Sequence, residues 1–228
     1  GLLNQGNFNN NAGGQITIDR ASNYALWNNA GTFVNAASIT IKATEVEGGF
    51  GITNDAIFNN NTGGQITVDR WTWTGFLNYG TFNNNANLTL GTTSTLGFRG
   101  IDNYGTINNN LGGQIKIDHI LSLGLSTSNM FTNAAAITIG ATSGAGSIGL
   151  GNQGTFYNNT GGQIKIDHAT EDGLVNFSTF MNASTITIGE AASTGESGLA
   201  NQGTFYNEAG GQITRDRATQ HGLLSFTT

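Results

Sequence analysis

Gly149–Thr187, GLGNQGTFYNNTGGQIKIDHATEDGLVNFSTFMNASTIT, is the stretch whose reading decides the fold. In steps of two it opens Leu150, Asn152, Gly154, Phe156, Asn158, a series of apolar, amide, absent, aromatic and amide side chains. After Gly161-Gly162 come Ile164 and Ile166, again two apart, and the pattern restarts at Gly173 with Leu174, Asn176, Phe180 and Asn182. A period of two is the signature of a strand with one buried face, because successive side chains point to opposite sides. Asn, Gly, Asp and Ser between the segments supply turns.

The rest of the chain repeats this stretch. Restarts fall at Gly1, Ala25, Gly51, Gly75, Gly100, Gly124, Gly149, Gly173, Gly198 and Gly222, with spacings alternating near 24 and 25 residues. Turns of two kinds alternate. One carries a double glycine (Gly13-Gly14, Gly63-Gly64, Gly112-Gly113, Gly161-Gly162, Gly210-Gly211). The other lacks it but has a longer connection before the next restart, as at Lys42–Gly49 and Gly189–Ser197. The repeating unit is therefore a pair of about 49 residues whose two length changes nearly cancel, which a coil needs if each turn is to return above the last. Three short strands per turn, no useful 3.6 period and no proline predict an all-β fold: a single parallel β-helix, or β-solenoid, right-handed by the crossover rule. Nine-odd turns about 4.8 Å apart make a rod roughly 45 Å long. Gly1–Thr228 reads as one repeat segment, cut through a turn at both ends, with no linker.

The columns that stacking would create are explicit. An aromatic column runs Phe8, Phe33, Phe58, Phe82, Ile107, Phe131, Phe156, Phe180, Phe205. Each buried ring removes about 150–250 Å² from water and contributes about 1.5–3 kcal/mol. Two residues on, without exception, come Asn10, Asn35, Asn60, Asn84, Asn109, Asn133, Asn158, Asn182 and Asn207. A second amide column runs Asn4, Asn28, Asn54, Asn78, Asn103, Asn152, Asn176, Asn201, broken by Thr127 and Ser225. Inward amides are expected to bond to one another and to the backbone, fixing register. A third column holds aliphatic pairs such as Ile16/Ile18, Leu88/Leu90, Ile164/Ile166 and Ile186/Ile188. Ile213 is followed instead by Arg215, which implies a distorted turn or one covered by something else.

Composition limits function. Lys and Arg number 8 against 14 Asp and Glu, so the net charge of −6 lacks the basic cluster that nucleic acid requires. The absence of cysteine excludes a disulfide framework and a thiolate metal site. No run of 18 apolar residues offers a membrane span, and no signal peptide is visible.

The strings Asn-x-Gly-x-Phe-x-Asn at Asn78–Asn84, Asn152–Asn158 and Asn201–Asn207, and Gly-Gly-Gln-Ile-x-Ile-Asp at Gly112–Asp118 and Gly161–Asp167, resemble the repeat shafts of bacterial surface β-helix proteins. The filamentous-haemagglutinin-like adhesins and autotransporter passengers are the family of this style. The resemblance implies a non-catalytic shaft segment of a long extracellular adhesin or fibre. It would have further repeats at both ends, a tip that meets a glycan or a host or prey cell surface, and copies bundled side by side. A polysaccharide-binding or polysaccharide-cleaving β-helix is the alternative, but Asp55, Asp102, Glu171 and Asp172 form no evident acid–base set.

Other features carry competing readings. Asp19-Arg20, Asp69-Arg70, Asp118-His119, Asp167-His168 and Asp216-Arg217 recur after the third strand. Copies two turns apart lie about 9.6 Å from each other, too far to share a metal, so the expectation is a capping Asp and a solvated Arg or His, with no catalytic residue, metal or cofactor. Outward Thr17, Thr40, Thr67, Thr89, Thr138, Thr187 and Thr214 raise an ice-binding face, interrupted by Lys116 and Lys165. Sequons at Asn60, Asn87 and Asn158 read as accidents of the inward column, except for Asn87. Finally, Tyr24, Trp71, Trp73, Ile120, Leu121 and Leu123 stack at one corner. Either the longer connections, with Val46, Phe50, Leu96, Phe98 and Ile148, fold over them, or Trp71, Trp73, Ile120, Leu121 and Leu123 form an exposed patch for lateral contact or glycan stacking.

Overall fold

A computed structural model of the protein describes residues 1–44, 49–93, 97–142, 144–189 and 195–225. Its described residues form three parallel sheets wound by one continuous coil and contain no helix. The first sheet has ten strands, from Leu2–Asn4 to His221–Ser225. The second has nine, from Asn7–Asn10 to Thr204–Asn207, and the third nine, from Gln15–Ile18 to Gln212–Arg215. Each strand pairs with its equivalent one turn away, so like stacks on like: Phe131 on Phe156 on Phe180, and Ile137 on Ile164 on Ile186. This is the expected β-solenoid.

Alternation follows from the pleat. In Thr155–Asn158, Phe156 and Asn158 are buried while Thr155 and Tyr157 are half-exposed. The rings of Phe131, Phe156, Phe180 and Phe205 stack with centroids 4.7, 4.7 and 4.9 Å apart and planes within 4°. The stack is less regular near Phe76, which takes a place elsewhere held by Leu or Ile. Phe76 tilts 51° against Phe82 at 4.6 Å, and Phe58 and Phe82 are 5.6 Å apart. Phe8 and Phe205, at the ends, are only partly buried.

The glycines hold the corners. A Cβ on Gly149 would lie 2.3 Å from Ile166 Cγ2 and 2.7 Å from the Gly173 carbonyl. The restart is glycine because the third sheet's last aliphatic residue fills that corner. At the double-glycine corner Gly161 has φ +89°, and a Cβ on Gly162 would meet the Asn158 side-chain oxygen at 2.3 Å. The Gly162 N–H closes this turn by donating to Asn159 O at 2.8 Å.

The amide columns are continuous hydrogen-bonded ladders. In the second sheet every Nδ2 from Asn10 to Asn182 donates to the Oδ1 of the next Asn toward the C-terminus, at 2.8–2.9 Å. Asn158 Nδ2 also donates to Thr185 O at 3.3 Å in the following turn. In the first sheet the ladder reaches Asn103, which donates to Thr127 Oγ1 at 2.9 Å, and resumes from Asn152 to Asn176 and Asn201. Asn158→Ala leaves Asn133 Nδ2 and Asn182 Oδ1 buried without these partners. It is expected to lower stability by about 1–3 kcal/mol, with Tyr157→Ala costing far less. Thermal unfolding of the two variants checks this, and equal losses would refute the inward assignment.

Arg215 does not distort its turn. It stays in register opposite Ile188. Its stem lies against Gly198 and its guanidinium over Gly222, where a Cβ would come within 1.9 Å of Cζ. The paired glycines of the corner give the side chain room at this end of the coil.

Candidate functional site

The Asp column sits where third-sheet strands leave for the next turn. Asp118 accepts from Thr142 N at 3.1 Å and Thr142 Oγ1 at 3.2 Å, and pairs with Lys116 Nζ at 3.3 Å. Asp69 accepts from Thr92 Oγ1, and Asp19 pairs with Lys42 at 3.2 Å. Each of these carboxylates ties its turn to the one after it, which is a capping role. The histidines depart from expectation: His119 and His168 are not solvated. Both are half-buried with φ near +58°, a backbone that folds the ring back over the corner. Their Nδ1 donates to Gly91 O at 3.0 Å and Gly140 O at 2.6 Å. Among the described residues no group of three or more His, Cys, Asp or Glu could hold a metal ion.

The threonines of the third sheet do lie in one straight column, Thr17 to Thr40 to Thr67 to Thr89, followed by Lys116, Thr138, Lys165, Thr187 and Thr214. Asn60 and Asn158 are fully buried in their ladder.

The corner group is split. Trp71 and Ile120 are each 2% exposed, whereas Trp73 is 45% and Leu121 is 54% exposed. Leu123 is half-buried beside Ile148. Trp71 lies beneath the backbone of Gly97–Arg99, its Nε1 donating to Arg99 O at 2.6 Å, and a Cβ on Gly97 would lie 2.2 Å from that nitrogen. Phe98 stacks on Trp73 at 4.9 Å, and Phe50 on Tyr24 at 5.3 Å. Trp71 and Ile120 thus leave the candidate patch, because the chain folds over them. Val46 and Leu96 lie outside the described residues.

A different surface gathers the apolar side chains. The outward column of the first sheet runs Leu3, Trp27, Thr53, Leu77, Asp102, Ser126, Gly151, Val175, Ala200 and Leu224, of which the seven from Thr53 to Ala200 are already buried within the chain. Tyr24, Phe50, Arg99, Leu123 and Ile148 flank it on one side, and Tyr79, Tyr104 and Phe177 on the other. The outer faces of the other two sheets are mostly Asn, Thr and Gln. Trp27 Nε1 donates to Asp55 Oδ2 at 2.6 Å. Arg99 Nη1 donates to both oxygens of Asp102, at 3.3 and 3.1 Å, which consumes the one ion pair of the face's centre internally. Tyr79 and Tyr104 stack at 5.2 Å and remain 54% and 44% exposed. Burial, then Tyr104 and the carboxylates of Asp55 and Asp102, raises the Tyr79 phenol above its ordinary range, so it stays neutral and a hydrogen-bond donor. Trp27, Leu77, Tyr79, Tyr104 and Phe177 are not singled out by the sequence reading, which follows only the third sheet's outward columns. Reading on from each restart to the second and fourth residues brings them out.

No family model, curated protein or solved structure matches the chain. What the surface can do therefore rests on its own chemistry. Its exposed rings, Tyr79, Tyr104 and Phe177, can stack on a ligand, while Thr53 Oγ1 and Arg99 Nε are buried without a hydrogen-bond partner among the described residues.

Proposed function

We propose that the chain is a length of structural shaft in a long extracellular bacterial adhesin or fibre, without catalytic activity. The observation that carries this reading is the unbroken amide ladder of the second sheet, Asn10 to Asn207. A stack in which each turn contacts only its neighbours has no built-in length. Leu2, Phe8, Ile16 and Ile18 at one end, and Phe205 and Ile213 at the other, are only partly buried. Further turns of the same polypeptide, on this reading, stack on these strand edges. On this reading the glycan or cell surface is met at the tip, and copies associate sideways.

Electron microscopy of the native source with antibody raised against this chain is the test. Labelled filaments are expected; compact labelled particles would overturn the shaft. The same protein should release no reducing or unsaturated ends from pectin, alginate or chitosan. Turnover abolished by changing one Asp or His would overturn the non-catalytic assignment.

A further inference from the structure

We infer that the corner where the first sheet passes into the second binds a quaternary ammonium group, held between the Asp55 carboxylate and the open face of the Tyr79 ring. The inference is independent of the shaft reading and is tested separately.

Three observations carry it. The first is a break in the repeat. The residue at the apex of that corner is Gln, Asn or Ser in most turns. Asp55 is the one carboxylate in this column, and Tyr79 and Tyr104 follow it in the next two turns. Trp27, in the turn before Asp55, is likewise the one tryptophan in its own outward column. Residues that the coil needs recur from turn to turn, as Phe156 and Asn158 do. A cluster that occurs once serves something other than the coil.

The second observation is geometry. Trp27 Nε1 donates to Asp55 Oδ2 at 2.6 Å, which fixes the carboxylate and leaves Oδ1 without a hydrogen bond among the described residues. Tyr104 covers one face of Tyr79 at 5.2 Å, with the planes 15° apart. The other face looks along the rod toward the turn of Asp55, because Asn78 pairs with Asn54 and Tyr79 and Asp55 come next. After burial and Tyr104, Asp55 is the next influence that raises the Tyr79 phenol, which sets the carboxylate beside that ring. Ile57, two residues beyond Asp55 and 44% exposed, adds apolar surface.

The third is charge. Asp55 is exposed and makes no ion pair among the described residues. Of the eight Lys and Arg, only Arg99 lies on the first sheet, and it is engaged with Asp102. The rest lie on the third sheet or just past it. The chain brings no cation of its own to this carboxylate. The notch also selects the kind of cation. A primary ammonium carries three N–H donors, and one free carboxylate oxygen cannot replace the water they lose. A methylated ammonium has no N–H to satisfy, and its charge is attracted to an aromatic face. One carboxylate and one ring face at an exposed corner make a millimolar site.

The experiment uses the 228-residue chain and titrates tetramethylammonium chloride against sodium chloride at constant ionic strength. Saturation transfer from protein to the ligand methyl protons should saturate at millimolar concentration, and the Tyr79 ring resonance should move with it. Ammonium chloride should bind about fivefold more weakly. Asp55→Asn keeps an acceptor for Trp27 and should weaken binding about fivefold with an unchanged circular dichroism spectrum. Tyr79→Leu should do the same, whereas Tyr79→Phe, which keeps the ring face, and Asp172→Asn, elsewhere on the first sheet, should bind like the parent. Free choline and phosphatidylcholine vesicles then separate a soluble ligand from a lipid headgroup. The absence of saturable binding, equal affinity for ammonium and tetramethylammonium, or indifference to Asp55→Asn overturns the proposal. A Tyr79 resonance that moves with neutral sugars and not with tetramethylammonium also overturns it, and gives the corner to a glycan.

Discussion

Phe156→Ala is expected to cost about 3–5 kcal/mol of stability. The ring is fully buried and stacked on both sides, at 4.7 Å from Phe131 and 4.7 Å from Phe180. Removing it takes away the transfer free energy of an aromatic side chain and leaves a void. The void cannot collapse easily, because Phe131 and Phe180 are held by backbone ladders on either side. Since a turn contacts only its neighbours, the loss should be concentrated there. Hydrogen exchange is expected to accelerate most over residues 131–182, with thermal unfolding reporting the total. Thr155→Ala, one residue away but facing outward, should change stability by less than about 0.5 kcal/mol. A small loss at Phe156, or one spread evenly along the rod, would contradict the stacked-core account.

Trp71→Ala is the second large effect, again about 3–5 kcal/mol. Trp71 is a plug beneath a backbone crossing, made possible by the lack of a side chain at Gly97. Its loss leaves a cavity and removes the indole N–H bonded to the Arg99 carbonyl. Trp73→Ala, two residues on, removes a half-exposed ring stacked on Phe98 and should cost about 1 kcal/mol or less. Denaturant unfolding of the two variants distinguishes them. Similar losses would mean that the corner is not covered as described.

The contrast between these tryptophans marks how far the sequence could be read. Phe156 and Asn158 were placed inside by counting in twos, because pleat geometry makes side and parity the same thing. The three sheets, their register and the alternation of two turn types follow from that count alone. Trp71 and Trp73 have the same parity, yet one is inside and the other outside. Both lie in a connection, where the backbone is free of the pleat and a long-range contact with Gly97 decides. His119 and His168 escaped for a similar reason: a left-handed backbone, not sequence spacing, aims their rings. The aromatic face of the first sheet was legible in principle. Its strands begin with an irregular corner at the glycine, so its outward positions do not continue the count of the preceding strand.

The alternation of turns has a consequence for how such a chain can change length. The double-glycine corner at Gly161 lies 3.5 Å, measured from where its Cβ would be, from the carbonyl of Ala134 in the compact corner one turn before, and Gly210 stands 3.6 Å from Ala183 O in the same way. Wide corner always rests on narrow corner. Loss or duplication of a single turn would bring two wide or two narrow corners into succession and shift the returning strand off its ladder. Loss or duplication of two turns restores the same neighbours everywhere. The rod's length is thus quantised, and the smallest step its gene can take without breaking a ladder is the doublet.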